Sequence, residues 1–125
     1  MAVTVYGIAN CDQCRKTLAW LREHGIEHRF HDFRVDGLDR AMLERWCRHL
    51  PWNSLLNRRG TTWRGLDDAA RAQVVDQASA VELMLAHPTL VKRPVVVLDD
   101  GLLLGFSAQR LAAALLPAEA QGSNA

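Results

Sequence analysis

Two short β-type runs separated by one helical pattern, all within the first 33 residues, constrain this chain more than any other feature. Residues 3–7 (Val-Thr-Val-Tyr-Gly) are β-branched and aromatic and close on glycine, which predicts a strand. After Ile8-Ala9-Asn10, the residues Cys14, Leu18 and Leu21 recur at i, i+4 and i+7, one face of a helix. Asn10 suits the N-cap, Gln13 stands where a capping-box partner belongs, and Gly25 suits the C-terminal cap. Alternation resumes over 28–33 (His-Arg-Phe-His-Asp-Phe), a second strand. Strand, helix and strand in about 30 residues make a βαβ unit, whose strands run parallel through a right-handed crossover.

From 38 to 87 the pattern is helical with breaks. Leu43, Trp46, Cys47 and Leu50 form an i, i+3, i+4, i+7 stripe, and Pro51 interrupts it. Leu55 and Leu56 begin a short apolar piece, and residues 57–62 (Asn-Arg-Arg-Gly-Thr-Thr) read as a polar loop. Asp67 and Asp68 suit the opening of a short helix, and Ser79 with Glu82 reads as a capping box for a helix that stops by Pro88. Residues 95–98 and 102–104 form a hairpin with Asp-Gly in its turn, and Ser107 caps a last helix carrying Leu111, Leu115 and Leu116. The expected order is βαβ, a helical stretch, then ββα. It is an α/β chain with the thioredoxin-like arrangement: a mixed four-stranded sheet with a helical insertion between its two halves. One domain is expected over 1–116, with the insertion at about 38–87 and a flexible tail at 117–125.

The 125 residues are 49% hydrophobic and 23% charged, enough for one buried core and far from a disordered composition. No apolar run approaches the ~18 residues that span a bilayer, and the first residues have no basic signal-peptide region, so a soluble, cytoplasmic protein is expected. Net charge is +1, made of +4 over residues 1–64 (11 basic, 7 acidic) and −3 over 65–125 (4 basic, 7 acidic). Neither half is basic enough to indicate nucleic-acid binding, and no membrane partner is expected. Small anions, peptides and thiols remain.

Three cysteines, Cys11, Cys14 and Cys47, are too few for a secreted disulfide framework. Cys11 and Cys14 form a C-x-x-C at the junction of strand and helix. Free cysteine ionises near ~8.5, and the unpaired N–H groups and partial positive charge of a helix start favour the thiolate. Cys11 is thus a candidate nucleophile, with Arg15 and Lys16 close in sequence. Cys14, one turn on, can attack a mixed disulfide formed at Cys11, with packing in the Leu18–Leu21 stripe as the rival reading. A structural zinc site needs four ligands, and no second pair has ligand spacing, so no metal is expected. Cys47 falls in the Leu43–Trp46–Leu50 stripe and reads as core. Arg58 and Arg59 lie beside Gly60, where guanidinium groups can take an oxyanion or carboxylate and where a solvated turn is the plainer reading. Arg93-Pro94 opens the third strand, a position that tolerates proline and that faces the cysteine helix in a thioredoxin arrangement.

With these residues in view, the chain resembles the arsenate reductase/Spx/YffB family of thioredoxin-fold proteins, in particular its YffB branch. The likeness lies in TVYGIANCD, RFHDFRVDGLD, LLNRRGTTWRGL, KRPVVV and GFS. The resemblance implies that Cys11 is the reactive thiol and that Asn10, Arg59, Arg93 and a cis Pro94 bind an anionic or thiol substrate beside it, with Arg59 matching the family position better than Arg58. It implies glutathione-dependent reduction, glutathione being a co-substrate, no bound cofactor, and glutaredoxin as a further partner. Two departures concern arsenate itself. Gly7 stands where arsenate reductases have a histidine, and Gly105-Phe106-Ser107 stands where they have a third arginine. Cys14 allows an internal disulfide, as in the Spx branch, so the alternative is a redox-sensing regulator that binds RNA polymerase through a Cys11/Cys14 switch.

Overall fold

A computed structural model of the protein describes residues 2–117. Its sheet has four strands in the order β2-β1-β3-β4, with β1 at Thr4–Gly7, β2 at Arg29–Asp32, β3 at Val95–Leu98 and β4 at Gly101–Leu104. β1 and β2 are parallel, pairing Thr4 with Arg29 and Gly7 with Asp32, and α1 (Asp12–Glu23) is the crossover between them. β3 runs antiparallel to β1, setting Val5 opposite Val96, and β4 returns antiparallel to β3. The mixed sheet and the βαβ and ββα halves are as the sequence patterns predict.

Strand alternation divides the core. Val3, Val5 and Val96 point to one face, where Trp20 and Leu21 of α1 meet Leu111 of α7 (Ala108–Leu115). Val95 points to the other face, against Ile8, Phe33 and the residues of the insertion. The insertion is a string of short helices: α2 (Arg40–Cys47), α3 (Trp52–Leu55), α4 (Thr61–Arg64), α5 (Asp68–Ala72) and α6 (Gln77–Ala86), followed by a 3-10 turn at Pro88–Leu90. Leu43, Trp46, Leu55, Leu56, Val81 and Met84 bury their side chains completely or nearly so.

Several local expectations are corrected. α1 is capped at Cys11, not Asn10, which lies exposed outside the helix, and Gln13 makes no capping box. Its amide oxygen instead accepts the Phe106 N–H at 3.3 Å, tying α1 to the segment after β4. The segment 57–62 is not all loop, because Thr61 and Thr62 begin α4. The box on α6 pairs Asp76 with Ser79, so that Ser79 is the third helical residue rather than the cap. The last hairpin turns at Asp99-Asp100, and Gly101 already pairs with Leu98. Cys47 is half-buried against the insertion core rather than enclosed in it, with burial and the Glu44 carboxylate holding its thiol up. Ser107 does cap α7, accepting the Arg110 N–H at 3.2 Å. Residues 118–125, most of the expected tail, lie outside the described residues.

The end of α1 shows why Gly25 is there. Ile26 N–H donates to the Leu21 carbonyl at 2.9 Å and Gly25 N–H to the Arg22 carbonyl at 3.1 Å, the paired bonds of a Schellman cap, with Gly25 at φ +63°. A Cβ at Gly25 meets nothing within 4 Å, so a substitution there tests the left-handed backbone alone. Gly25→Ala is expected to lower stability by ~1–2 kcal/mol, measured by urea denaturation, with the cysteine chemistry described below unchanged.

Candidate active site

β1 ends at Gly7, Ile8 is buried, and the chain turns outward through exposed Ala9 and Asn10 before α1 begins. Cys11 occupies the N-cap with extended backbone (φ −147°, ψ 122°), half exposed at the rim of the insertion core. Burial pushes its thiol up, and this is overcome by the Cys14 N–H, the Cys14 thiol and the Arg93 guanidinium, so that the Cys11 pKa lies below the ordinary thiol value. No side-chain hydrogen bond closes the cap. The lowering comes from donors and positive charge turned toward the sulfur. Arg15, close to Cys11 in sequence, pairs with Asp12 on the helix surface.

Cys14 is the opposite case. It is completely buried, and burial pushes its thiol up to about 12 against the pull of the Ile8 N–H. Its seat depends on Gly7, where a Cβ would lie 2.3 Å from the Cys14 sulfur. The sequence reading noted position 7 without this role: its meaning lies in the space it leaves for a thiol seven residues on. Buried Thr17, one turn further, satisfies its hydroxyl on the Gln13 carbonyl at 2.9 Å.

Arg93 joins this pair from the start of β3, and the Arg93–Pro94 peptide is cis. One guanidinium nitrogen donates to the carbonyls of Thr89 (2.7 Å) and Val91 (3.3 Å). Its Nε is buried with no hydrogen-bond partner. The Pro94 carbonyl accepts the N–H of Gly105, which takes φ +73°, at 2.9 Å, so the segment after β4 is anchored beside the cis bond. Thr89, absent from the sequence reading, carries Arg93 on its carbonyl and bonds Thr62 through their hydroxyls at 2.6 Å. The Arg110 guanidinium is engaged with the Leu104 carbonyl at 2.7 Å.

Cys11, Cys14, Arg93 and Pro94 thus meet at one place, with Asn10 on its outer side. Arg58 and Arg59 are exposed and line a neighbouring groove with Lys92. Arg58 lies between two tryptophans, its guanidinium carbon 5.7 Å from the ring centroids of both Trp52 and Trp63. Arg59 follows a turn in which the Asn57 side chain accepts its N–H at 3.0 Å. Among the described residues no group of three or more His, Cys, Asp or Glu side chains could hold a metal ion, and no helix is long and apolar enough to cross a membrane. Chemically, the arrangement offers one thiol favoured as thiolate at a helix start, a fixed guanidinium beside it, and a second thiol that keeps its proton.

Comparison with known proteins agrees with the fold. The sequence profile of the ArsC family matches residues 6–114. A solved structure of a YffB protein is 47% identical, superposes with a TM-score of 0.86, and covers 90% of this chain and 98% of its own. An uncharacterized protein of Haemophilus influenzae is 44% identical over 112 residues, 90% of this chain and 97% of its own length. An arsenate reductase of Rhizobium meliloti is 32% identical over 105 residues (81% and 72%). The regulatory protein MgsR of Bacillus subtilis is 27% identical over 109 residues (84% and 83%).

Two outcomes follow from the seat of Cys14. Gly7→Ala should destabilise the fold by ~1–3 kcal/mol, and combining it with Cys14→Ala should recover most of that loss in a double-mutant cycle of denaturation curves. The folded chain also keeps the Cys14 proton over a range where the unfolded chain releases it, from about 9.0 to about 12. This contribution is fully present below that range and is lost as pH rises through it, so stability should fall along an alkaline limb that Cys14→Ala makes shallower.

Proposed function

The chain belongs to the ArsC family, and from that premise we propose that it is a glutathione-dependent thiol/disulfide reductase in which Cys11 is the nucleophile. The Cys11 thiolate attacks one sulfur of a mixed disulfide between glutathione and a second thiol. A Cys11–glutathione disulfide forms, the substrate S–S bond breaks, and the second thiol leaves as thiolate and takes a proton from water. A further glutathione thiolate then attacks that disulfide, releasing oxidised glutathione and the Cys11 thiolate, so two electrons pass from glutathione to the substrate. Arg93 steadies the negative charge at the attacking and leaving sulfurs, and Arg59 holds the anionic part of the substrate. Asn10 and Pro94 border the place where the substrate sulfur lies.

The observation that carries this reading is the half-exposed Cys11 sulfur at the helix start, with the Arg93 guanidinium and the Cys14 N–H turned toward it. The two thiols divide the work. Cys14 holds its proton up to about 12, so at neutral pH it is a poor attacker, and glutathione is the faster resolving thiol. Cys14 in this reading shapes the site and, when glutathione is scarce, attacks the Cys11–glutathione disulfide more slowly, forming the Cys11–Cys14 bond and releasing glutathione as thiolate. Arsenate is the weaker candidate, because Gly7 and Gly105 leave the site with fewer cations than the arsenate reductases it resembles.

The second reading is a redox-sensing regulator that binds RNA polymerase, favoured by the C-x-x-C and by the likeness to MgsR. A pull-down from reduced and oxidised extracts separates the two: redox-dependent retention of polymerase supports regulation, and turnover with glutathione without such retention supports the enzyme.

Cys11→Ser should abolish glutathione-dependent turnover, while Cys14→Ser should leave turnover and change its dependence on the reductant. The rate of Cys11 alkylation by iodoacetamide should rise with a midpoint below the ordinary thiol value, and Arg93→Ala should move that midpoint upward. A midpoint in wild type at or above the ordinary value, or full turnover in Cys11→Ser, defeats the proposal.

A further inference from the structure

A groove of about 340 Å³ is lined by Asn53, Leu56, Asn57, Arg58, Arg59 and Lys92, the chain neighbour of Arg93. Three cations share its rim, and among the described residues no carboxylate pairs with any of them; the acidic partners serve Arg15, Arg40 and Arg71 elsewhere. Like charges gathered without a counter-charge repel, and that repulsion is relieved when an anion enters. The donor set is mixed, with two guanidinium groups, one ammonium and carboxamides. It suits a carboxylate, which accepts several hydrogen bonds side by side.

The groove is built, not a chance meeting of loose side chains. Asn57 N–H donates to the Leu90 carbonyl at 2.7 Å and Lys92 N–H to the Leu55 carbonyl at 2.8 Å, with Leu56 bridged antiparallel to Val91. The turn is locked from within, because the Asn57 side chain accepts the Arg59 N–H and its Nδ2 lies where a Cβ on Gly60 would come within 2.9 Å. The two tryptophan rings hold Arg58 in place at the rim. Lys92 and Arg93 are neighbours in the chain, their Cα atoms ~3.8 Å apart, and one serves the groove while the other serves Cys11. A tripeptide extends to ~10 Å, longer than the ~3.8 Å between the Cα atoms of Lys92 on the groove and Arg93 beside Cys11.

We propose that this groove binds the carboxylate end of a peptide thiol whose sulfur reacts at Cys11, and that Lys92, Arg58 and the Asn53 and Asn57 amides make the site selective for carboxylated over neutral thiols. It rests on the reductase reading for its substrate class and adds the residues that choose within it. Arg59 already has a part in that reading; the other four do not.

The test uses S-methylglutathione, which cannot react, and its diethyl ester, whose carboxylates are masked. Each is titrated into the intact protein and followed by amide chemical shifts. The free acid should shift the amides of Asn53, Asn57 and Lys92 and bind about tenfold more tightly than the diester. Lys92→Gln and Arg58→Gln should each reduce that preference about three- to fivefold, and the charge reversal Lys92→Glu should abolish it, with folding of each variant checked from the same spectra. Equal binding of acid and diester, or shifts elsewhere on the molecule, overturns the proposal. So does sulfate at matched concentration displacing the acid completely, which marks a site for inorganic oxyanions. Selective binding without glutathione turnover removes the reductase reading and leaves the groove. Turnover with equal binding of acid and diester does the reverse.

Discussion

A bare Cα at position 7 is what allows the first helix to lie on the first strand. The Cys14 sulfur fills the space that any side chain there would take, 2.3 Å from where a Cβ would stand. Because that sulfur is enclosed, the rotation of α1 about its own axis is fixed within its first turn. Cys11, three residues earlier, is thereby delivered to the helix end at the half-exposed rim, and Gln13 is turned to the Phe106 N–H. Two thiols one turn apart then acquire opposite characters from position alone. Removal from water disfavours the thiolate at Cys14, while donors and a guanidinium favour it at Cys11.

The insertion performs a second task beyond covering a sheet face. Its short helices bury Leu43, Trp46, Leu55 and Met84 over the side of the sheet that α1 and α7 leave bare. In doing so they bring the turn at 57–60 alongside the segment 90–92, where the antiparallel bridge from Leu56 to Val91 joins them. The threonines and tryptophan that follow acquire a purpose there: Thr62 bonds Thr89, whose carbonyl carries Arg93, and Trp63 flanks Arg58. The groove at 57–60 and the segment that carries Arg93 are thus joined by backbone pairing.

What could be read in advance, and what could not, divides along a physical line. Strand alternation, the stripe of α1 and the hairpin at 95–104 depend on local periodicity, so the mixed sheet and the order of its elements were legible from the pattern. The helix ends were less so. Asn10, Ser79 and the Asp-Gly pair all have the right chemistry for a cap or turn, yet Cys11, Asp76 and Asp99-Asp100 hold those places. Choosing between neighbouring residues with similar propensity is a matter of tertiary packing, which moves a boundary by a residue or two. Cys11 and Cys14 could be named because reactive chemistry is carried by residue type, and Arg93 and Pro94 because of their place at the start of the third strand and the family resemblance. The roles of Gly7, Thr89 and Lys92 could not, because they are space, a backbone carbonyl and a location, none of which marks a single sequence.

Arg93 shows how such unmarked groups give a site its direction. Held by the Thr89 and Val91 carbonyls, one arm of its guanidinium is fixed by the fold and not by the substrate. Its Nε remains buried without a partner, an arrangement that costs ~1–3 kcal/mol when nothing accepts from it. A lysine here would supply the charge without the planar fork that lets one face of the group rest on the protein while the remainder addresses the sulfur. The positive charge beside Cys11 is thereby oriented by carbonyls drawn from the end of the insertion, and those carbonyls make the joint between insertion and sheet part of the chemistry.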